Sequence, residues 1–383
     1  MLTTLVIIII LIYLLIIGLL TYGIDRVKHF KLQDLSAKTK VSVIIPFRNE
    51  AENLPNLLAS ISTLNYPKSL FEVILVDDES HDNSVSTIEK FFGEKSSQNN
   101  FTQLDNYRII KNKRTSNSPK KAAISSAIKV SKYNWIITTD ADCILPKYWL
   151  NTFDEFIQTK SSNCIVAPVT YSGENSFFNR FQTLDFLSLQ GATIGGFGIH
   201  KPFICNGANF AYRKISFQNV NGFEGNTNVA SGDDIFLLEK LLKQDAKKVH
   251  YLKSKKAVIT TKPVKDFSSL VQQRLRWASK TSRYKNAFAK GIGLIVLFGN
   301  LTCLALIPFV LFNLTSLRIA STLMFIKLSI DFLLLFKSSR FFKQETLLLS
   351  YIFSGILYPF FAVYIAFLSV FKSYKWKDRT FKY

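Results

Sequence analysis

The chain has 383 residues, of which 48% are hydrophobic, and it carries 48 Lys and Arg against 27 Asp and Glu, for a formal charge of +21. This basic balance suits a nucleic acid, an anionic bilayer surface or an acidic substrate, and the apolar ends of the chain make the bilayer the leading choice. The four cysteines show no CxxC spacing, which argues against a zinc site or a disulfide framework and favours a reducing cytosol.

The first apolar run predicts a membrane anchor. Residues 2–20 are almost all Leu, Ile and Val, and the first charge is Asp25. About 20 helical residues at 1.5 Å per residue cross ~30 Å of hydrocarbon. A signal peptide would instead need a basic start, a shorter apolar core and a small-residue cleavage site. We therefore predict an uncleaved anchor over residues 1–24. The cations after it predict that the following domain is cytoplasmic: Arg26, Lys28, Lys31, Lys38 and Lys40.

Strand and helix patterns alternate along the next part of the chain. This alternation predicts an α/β fold with a largely parallel sheet and helices on both faces. Residues 93–106 are polar and loop-like, whereas the pattern of residues 175–198 leaves their structure undecided. The soluble domain is predicted over residues 40–262. Its strands are expected at 41–46, 71–76, 107–110, 135–139, 164–170 and within 201–214, and its helices at 54–64, 82–92, 121–130, 151–156 and within 231–244.

The C-terminal part of the chain is predicted to lie at and in the membrane. Residues 263–290 form an amphipathic basic segment of the kind that lies in the bilayer interface. Residues 291–371 contain three apolar runs, and a basic tail follows at 372–383. If all three runs crossed, the basic tail would end outside, against the positive-inside rule. One run is therefore expected to be re-entrant or interfacial, and the middle run, which carries Lys327 and Asp331, is the first candidate.

Pairs of carboxylates follow two of the predicted strands. Asp140 and Asp142 end the stretch WIITTDADC, and Asp77 and Asp78 end FEVILVDD. Open α/β sheets bind ligands at the carboxyl ends of their strands, and hard oxygen ligands suit Mg²⁺ or Mn²⁺ carrying a diphosphate. The alternative is that these residues only form turns, where Asp is common.

Seven stretches in one order resemble the family 2 glycosyltransferases. The resemblance is closest to the membrane-embedded branch that includes cellulose, chitin, hyaluronan and poly-N-acetylglucosamine synthases and the ceramide glucosyltransferases. It implies a GT-A fold and inverting sugar transfer from a UDP-sugar. The stretches are VSVIIPFRNE (41–50), VDDES (76–80), SPKKAAISSAI (118–128), TDAD (139–142), FICNGANFAYRK (203–214), SGDD (231–234) and QRLRW (273–277).

The resemblance also implies roles for single residues on the donor side. It places the nucleotide-sugar near the loop of the first strand and near the two acidic pairs, with Asp142 as the direct ligand of Mg²⁺ or Mn²⁺ and Asp140 beside it. Lys120 would approach the diphosphate, although Lys121 competes for that role. The implied donor-side residues are Pro46, Arg48, Glu50, Asp77, Asp78, Lys120, Asp140, Gln273, Arg276 and Trp277.

On the acceptor side, the resemblance makes Asp234 the catalytic base, because it matches the Asp of the family's Glu-Asp pair. Asp233 takes the place of that Glu, which is a departure to a shorter carboxylate. Cys205, Asn206 and Trp277 would line the acceptor pocket, although a buried Cys is more often a small hydrophobe. A carboxylate base near the acceptor hydroxyl is what inverting transfer needs.

Three functions remain in competition at this point. The first is a membrane-bound enzyme that builds a saccharide from UDP-glucose or UDP-N-acetylglucosamine. The second is transfer of one sugar to a membrane lipid, because secreting synthases have more membrane helices than this chain, unless a second copy or an accessory subunit completes a pore. The third, a basic domain that binds nucleic acid, is disfavoured because grouped carboxylates repel phosphates that lack a metal. The predicted partners are therefore the donor, a saccharide or lipid-linked acceptor and membrane lipids, and the predicted location is the plasma or inner membrane if the source is bacterial.

Overall fold

The structure is a computed structural model, and it describes residues 2–94, 106–114, 118–280, 283–377 and 379–381. The predicted loop at 93–106 lies mostly outside these residues, as do three positions of the basic tail. The chain forms two units. Lys28–Ser172 and Cys205–Lys262 form the first, which we call the sheet unit, and the remaining described residues form the helical unit.

The described part of the chain contains twelve α-helices and eleven strands. The helices are α1 Leu2–Arg26, α2 Leu54–Ser62, α3 Ser84–Glu94, α4 Pro119–Val130, α5 Trp149–Thr159, α6 Phe177–Gly198, α7 Lys214–Asn219, α8 Ile235–Asp245, α9 Phe267–Ala278, α10 Ala287–Leu311, α11 Leu317–Phe342 and α12 Tyr351–Phe371. The strands are β1 Val41–Phe47, β2 Phe71–Asp77, β3 Tyr107–Lys111, β4 Trp135–Thr138, β5 Cys164–Val166, β6 Val169–Tyr171, β7 Phe210–Arg213, β8 Val249–Tyr251, β9 Ile259–Thr261, β10 Tyr374–Trp376 and β11 Arg379–Phe381.

The sheet unit is built on a seven-stranded sheet in the order β3-β2-β1-β4-β7-β5-β8. The first four of these strands pair in parallel, and β7 runs antiparallel to both of its neighbours. Strands β1 and β2 are buried along almost their whole length, because parallel sheets are covered by helices on both faces. The predicted α/β class, with a mostly parallel sheet and apolar terminal helices, is confirmed.

The predicted strand at 164–170 is two strands in two sheets. β5 ends at Val166 and pairs with β7 and β8, whereas β6 begins at Val169 and pairs with β9. Pro168 separates them, because proline has no N–H to donate and disfavours a regular ladder at its own position. β9 also pairs with Ile144 just beyond the Asp-x-Asp stretch, since Ile144 and Thr260 exchange backbone hydrogen bonds of 2.8 and 3.2 Å.

The segment that follows the first helix is fixed along the sheet unit by two buried carboxylates of α5. Glu155 accepts hydrogen bonds from the backbone N–H groups of Gln33 and Leu35, at 2.6 and 3.1 Å. Asp154 accepts from Lys38 and Thr39 at 3.3 and 2.9 Å. Because each carboxylate satisfies backbone donors that no strand pairs, the segment is held in place without secondary structure.

In the helical unit, α1, α10 and α11 run side by side in alternating directions. Val6 and Ile10 at the start of α1 pack in one cluster with Leu306, Ala320 and Leu323, near the end of α10 and the start of α11. At the other end of α1, Asp25 pairs with Lys337 in the last part of α11, at 2.5 Å. The three helices therefore cover the same span.

Two charges in the middle of α11 are neutralised inside the unit. Lys327, which is 1% exposed, lies 2.8 Å from Asp331 one turn later. The Tyr13 hydroxyl on α1 donates to Asp331 at 2.7 Å. α11 is one continuous helix of 26 residues, so these charges do not interrupt it.

The stretch 175–198, which the sequence pattern left undecided, forms the 22-residue helix α6 of the helical unit. It crosses α1 at glycines: a Cβ on Gly195 would collide with the carbonyl oxygen of Leu20. Only glycine permits so close an approach of two backbones, as in small-residue crossings of membrane helices.

The C-terminal elements pack on α9. Phe361, Ile365 and Leu368 of α12 join Leu270 and Leu275 of α9 in one buried cluster. The predicted basic tail is partly a hairpin, β10–β11, and Tyr374 of β10 belongs to the same cluster.

Four helical stretches of the described residues are long and apolar enough to cross a membrane: α1, α10, α11 and Glu345–Phe371, which contains α12. By length and composition, this is a membrane protein.

Candidate active site

The acidic pairs of the sequence lie at one edge of the sheet. β2, β1 and β4 are parallel neighbours, so their carboxyl ends face the same way. Asp77 is paired with Phe47 at the end of β1, and Thr139 donates to Ile44 next to the end of β4. Neighbouring strands are about 4.8 Å apart, which puts the two acidic strand ends about 10 Å from each other.

Lys120 joins carboxylates that are distant in the sequence. Its Nζ lies 2.6 Å from Oδ1 of Asp140 and 3.3 Å from Oδ2 of Asp233. The lysine belongs to the first turn of α4, Asp140 follows β4, and Asp233 precedes α8. Burial acts to lower the pKa of Lys120, but the negative charges of Asp140 and Asp233 outweigh it and raise the pKa above its ordinary value. The ammonium is therefore charged at neutral pH.

The adjacent Lys121 has a different environment. It is 1% exposed, and its Nζ donates to the carbonyl oxygens of Asn226 and Val229 at 2.7 and 2.9 Å. It also lies 4.9 Å from the ring centroid of Phe236. Lys121 therefore holds the segment before SGDD in place. Of the two lysines that competed for one role in the sequence, Lys120 is the one among the carboxylates.

Asp234 is held by two backbone donors. Its Oδ1 accepts from the N–H of Ile235 at 2.7 Å, and its Oδ2 accepts from the N–H of Gly207 at 3.2 Å. It is thus the N-cap of α8, as its position allowed, and it also bonds the segment that leads into β7. A Cβ on Gly207 would lie 2.9 Å from Oδ2 of Asp233, so the absence of a side chain there leaves room for the carboxylates.

The edge at β2 holds a second polar group, in which Asp78 is buried. Asn112 donates to Oδ1 of Asp78 at 2.6 Å, and the Nε of Arg114 lies 3.5 Å from the same oxygen. Arg48 donates to the backbone oxygens of Asp78 and Glu79 at 2.8 and 2.5 Å. Asn112 and Arg114 were missed in the sequence, although their place directly after β3 at the same sheet edge was a usable signal.

Three further residues predicted for the donor side lie near the carboxyl ends of β1 and β2 or in the turn that follows β1. Pro46 is paired with Val76 across β1 and β2. The N–H of Glu50 donates to Ser84 at 2.8 Å, and its carboxylate accepts from Asn53 at 2.7 Å. Asp77 accepts from the N–H of Ser80 at 2.9 Å, which makes it a turn former as well.

The residues fit a divalent cation that is shared with a ligand. Among the described residues, no three His, Cys, Asp or Glu side chains are grouped to hold a metal by themselves. Mg²⁺ is commonly held by one or two carboxylates together with substrate phosphates, so a two-carboxylate site is sufficient. Asp140 is 35% exposed at its side chain and Asp142 is half-buried. One oxygen of Asp142 accepts from Thr261 at 3.1 Å, which orients the carboxylate.

Cys205 and Asn206 are both half-buried in the sheet unit, directly before Gly207. The Asn206 side chain accepts from the N–H of Ala208 at 2.9 Å and so caps the short turn that leads into β7. Cys205 is free of any disulfide. Gln273, Arg276 and Trp277 lie on α9 of the helical unit, where each is half-buried.

The comparisons with known proteins agree with this arrangement. A model of glycosyl transferase family group 2 matches residues 135–376, and a model of glycosyl transferase family 2 matches residues 42–220. The chain belongs to the family 2 glycosyltransferases.

Several named proteins are similar in sequence to this glycosyltransferase. A glycosyltransferase named AglE, from Haloferax volcanii, is 24% identical over 67% of this chain and 81% of its own length. A poly-β-1,6-N-acetyl-D-glucosamine synthase from Staphylococcus epidermidis is also 24% identical, over 39% of this chain and 34% of its own length. The chain thus spans about a third of the matched synthase.

One solved structure resembles almost the whole chain. It is described as the mannosyltransferase PcManGT from Pyrobaculum calidifontis in complex with GDP-Man and Mn²⁺. The TM-score is 0.60 at 16% identity, and the match covers 93% of this chain and 99% of the other. At that identity the likeness shows the fold alone.

Proposed function

We propose that this glycosyltransferase moves a hexose or N-acetylhexosamine from a UDP-sugar to a hydroxyl of a saccharide acceptor, with inversion at the anomeric carbon. The observation that carries the proposal is the convergence of Lys120, Asp140, Asp233 and Asp234 at the carboxyl edge of the sheet. This is one cluster of one cation and three carboxylates, drawn from three separate segments of the chain.

Asp234 is the proposed base. Its carboxylate takes the proton of the acceptor hydroxyl while that oxygen attacks the anomeric carbon, and the bond from this carbon to the diphosphate oxygen breaks. Its backbone bonds to Ile235 and Gly207 fix its direction before the acceptor arrives. A base positioned in this way contributes ~10²–10⁴-fold to the rate.

The departing nucleoside diphosphate gains negative charge, and cations near it lower the barrier. Lys120 provides one such charge, and it is already oriented by Asp140 and Asp233. Asp142 and Asp140 would hold Mg²⁺ or Mn²⁺, which as a Lewis acid neutralises charge on the diphosphate. The contacts of Asn112 and Arg114 with Asp78 would shape the binding site of the nucleobase and ribose of the donor.

A second acceptor class remains a candidate. The described residues contain four helical stretches long enough to span, which is few for a polymer channel in one copy. Transfer of a single sugar to a membrane lipid needs no channel. The match to AglE covers 67% of this chain and 81% of AglE, whereas the match to the synthase covers 39% of this chain and 34% of the synthase.

The proposed orientation keeps the sheet unit and the hairpin β10–β11 on the cytoplasmic side. α11 ends where α1 ends, through the Lys337–Asp25 pair, and the cations after α1 favour the inside. The end of α12 and the hairpin pack on α9, which directly follows the sheet unit in the chain. α12 would therefore begin and end on one side, so the last apolar run, rather than the middle one, does not cross.

A labelling experiment tests this orientation. Lys375→Cys in the hairpin and Asn313→Cys between α10 and α11 are reacted with an impermeant maleimide in inside-out and right-side-out vesicles, against the wild-type chain as background. We expect labelling of position 375 from the cytoplasmic face and of position 313 from the opposite face. Labelling of both positions from one face contradicts the proposal.

The function is tested by nucleotide release from purified enzyme in detergent. A panel of UDP-sugars, with GDP-mannose included, is offered with Mg²⁺ or Mn²⁺ and then with EDTA. We expect release that requires a UDP-sugar and is lost with EDTA. Radiolabelled products then separate the acceptors: a ladder indicates a saccharide and one lipid-soluble product indicates a lipid. Release from GDP-mannose alone would overturn the UDP assignment.

A further inference from the structure

Arg274 occupies an unusual position within the sequence QRLRW. It is not one of the family-type positions Gln273, Arg276 and Trp277, and it would be read from sequence as one more interfacial cation. In the structure its side chain is 7% exposed, and its Nε donates to Oδ2 of Asp185, 6% exposed, at 2.6 Å. This buried pair joins α9 to α6.

The Arg274 guanidinium contacts two of the family-type side chains at once. Its central carbon lies 4.3 Å from the ring centroid of Trp277, and its Nη1 donates to the amide oxygen of Gln273. Arg has five donors in a rigid plane and also stacks on aromatic faces, so one guanidinium can orient an amide and an indole together. Phe186, next to Asp185, lies 6.1 Å from the Trp277 ring. The indole is thereby held by neighbours from both helices.

Stability alone is a weak reason for such a pair. Desolvation of two buried charges often equals or exceeds their attraction, and an apolar replacement of similar volume is often neutral or stabilising. The helical unit offers a comparison, because Lys327, 1% exposed, and Asp331, 18% exposed, form a second ion pair at 2.8 Å. That pair contacts Tyr13 of α1 and Tyr358 of α12.

We propose that Asp185 and Arg274 are positioning residues that fix Gln273 and Trp277 for the sugar substrates. The proposal rests on the proposed function, because it takes Trp277 and Gln273 as substrate-facing groups. The carboxylate of Asp185 holds the guanidinium of Arg274 in place. The guanidinium in turn orients the amide of Gln273 and the indole of Trp277.

The test compares Asp185→Asn with Asp331→Asn. Both changes are isosteric, and both remove one charge from an ion pair inside the same unit. We expect Asp185→Asn to lower kcat/KM by roughly 10–100-fold, since a displacement of about 1 Å can reduce the rate ~10²-fold. Asp331→Asn is expected to change kcat/KM less than about twofold at a similar loss of thermal stability. Arg274→Lys should behave like Asp185→Asn, because an ammonium cannot bond and stack in the same way.

A second readout does not depend on activity. The enzyme is labelled with 5-fluorotryptophan, and the Trp277 resonance is assigned by its loss in Trp277→Phe. We expect Asp185→Asn to shift or broaden this resonance and Asp331→Asn to leave it unchanged. An unmoved Trp277 signal in Asp185→Asn, or equal kcat/KM losses in the two Asn variants, overturns the positioning role. Absence of sugar transfer by the wild-type enzyme would instead refute the proposed function, and the resonance would still decide whether the pair orders Trp277.

Discussion

The two units of the molecule place their charged residues by different rules. In the sheet unit, charges stand at the carboxyl ends of strands and the first turns of helices, so Lys120, Asp140 and Asp233 meet at an edge. In the helical unit, charges are enclosed between helices, as Asp185 with Arg274 and Lys327 with Asp331 show. A sheet edge gathers charges for a ligand, whereas a lipid-facing bundle must neutralise each charge internally.

The largest expected effect lies in the sheet unit. Asp234→Asn keeps the shape and the cap of α8 but removes the proposed base. We expect turnover to fall by ~10²–10⁴-fold while nucleotide binding is retained. Turnover is measured as UDP release, and binding by calorimetry with Mn²⁺. Asp245→Asn, at the far end of the same helix, is the control and should leave turnover unchanged. If Asp234→Asn turned over at the wild-type rate, Asp234 would not be the base.

Asp142→Ala tests the metal side of the same edge. Loss of groups that merely orient metal ligands typically weakens affinity by roughly 10–100-fold, and loss of a direct ligand should do at least as much. We expect weaker UDP affinity and a weaker response to Mn²⁺, measured by titration with and without the ion. Thr261→Val, which removes the hydroxyl on Asp142, should give a smaller change in the same direction. Unchanged affinity of Asp142→Ala would exclude it from the metal site.

Lys120 and Lys121 are neighbours in one helix turn, and their substitutions are expected to affect different properties, turnover for Lys120 and thermal stability for Lys121. Lys121→Met leaves the carbonyls of Asn226 and Val229 without their ammonium donor, and an unsatisfied buried group costs about 1–3 kcal/mol. We expect a lower thermal midpoint for Lys121→Met. Lys120→Met should lower turnover with a much smaller change in the midpoint, because Lys120 is surrounded by carboxylates that can bind other cations. The reverse pattern would mean that the two roles are exchanged.

The smallest expected effect concerns a glycine crossing in the helical unit. Gly195→Ala adds one methyl group against the Leu20 carbonyl, and overpacking of this kind costs about 1–3 kcal/mol. Gly293→Ala on α10 is the matched control, because no atom lies within 4 Å of its added Cβ. Stability in detergent, followed by thermal scanning, should fall only for Gly195→Ala. Equal behaviour of the two variants would show that α1 and α6 do not need this close approach.

The difference between the sheet unit and the helical unit also explains which features could be predicted from the sequence. Strand ends can be read from apolar runs that stop at Asp, which is why β2, β4 and the carboxylates after them were expected. Asn112 was not, because a lone amide after a short strand carries no pattern of its own. In the helical unit, apolar residues face lipid as well as protein, so hydropathy identifies α10 and α11 but not their neighbours. The helix α6 and the Asp185–Arg274 pair depend on contacts between distant segments, and no local periodicity encodes them.

The Tyr13–Asp331–Lys327 contact has a consequence for biosynthesis. A single Asp or Lys at the centre of a helix opposes translocon insertion by about 2.5–3.5 kcal/mol, and α11 has less to offset this cost because it is less apolar than α1. α1 precedes α11 in the chain, and its Tyr13 hydroxyl donates a hydrogen bond to the carboxylate of Asp331. α1 therefore supplies a hydrogen-bond donor to a carboxylate of the less apolar helix that follows it later in the chain.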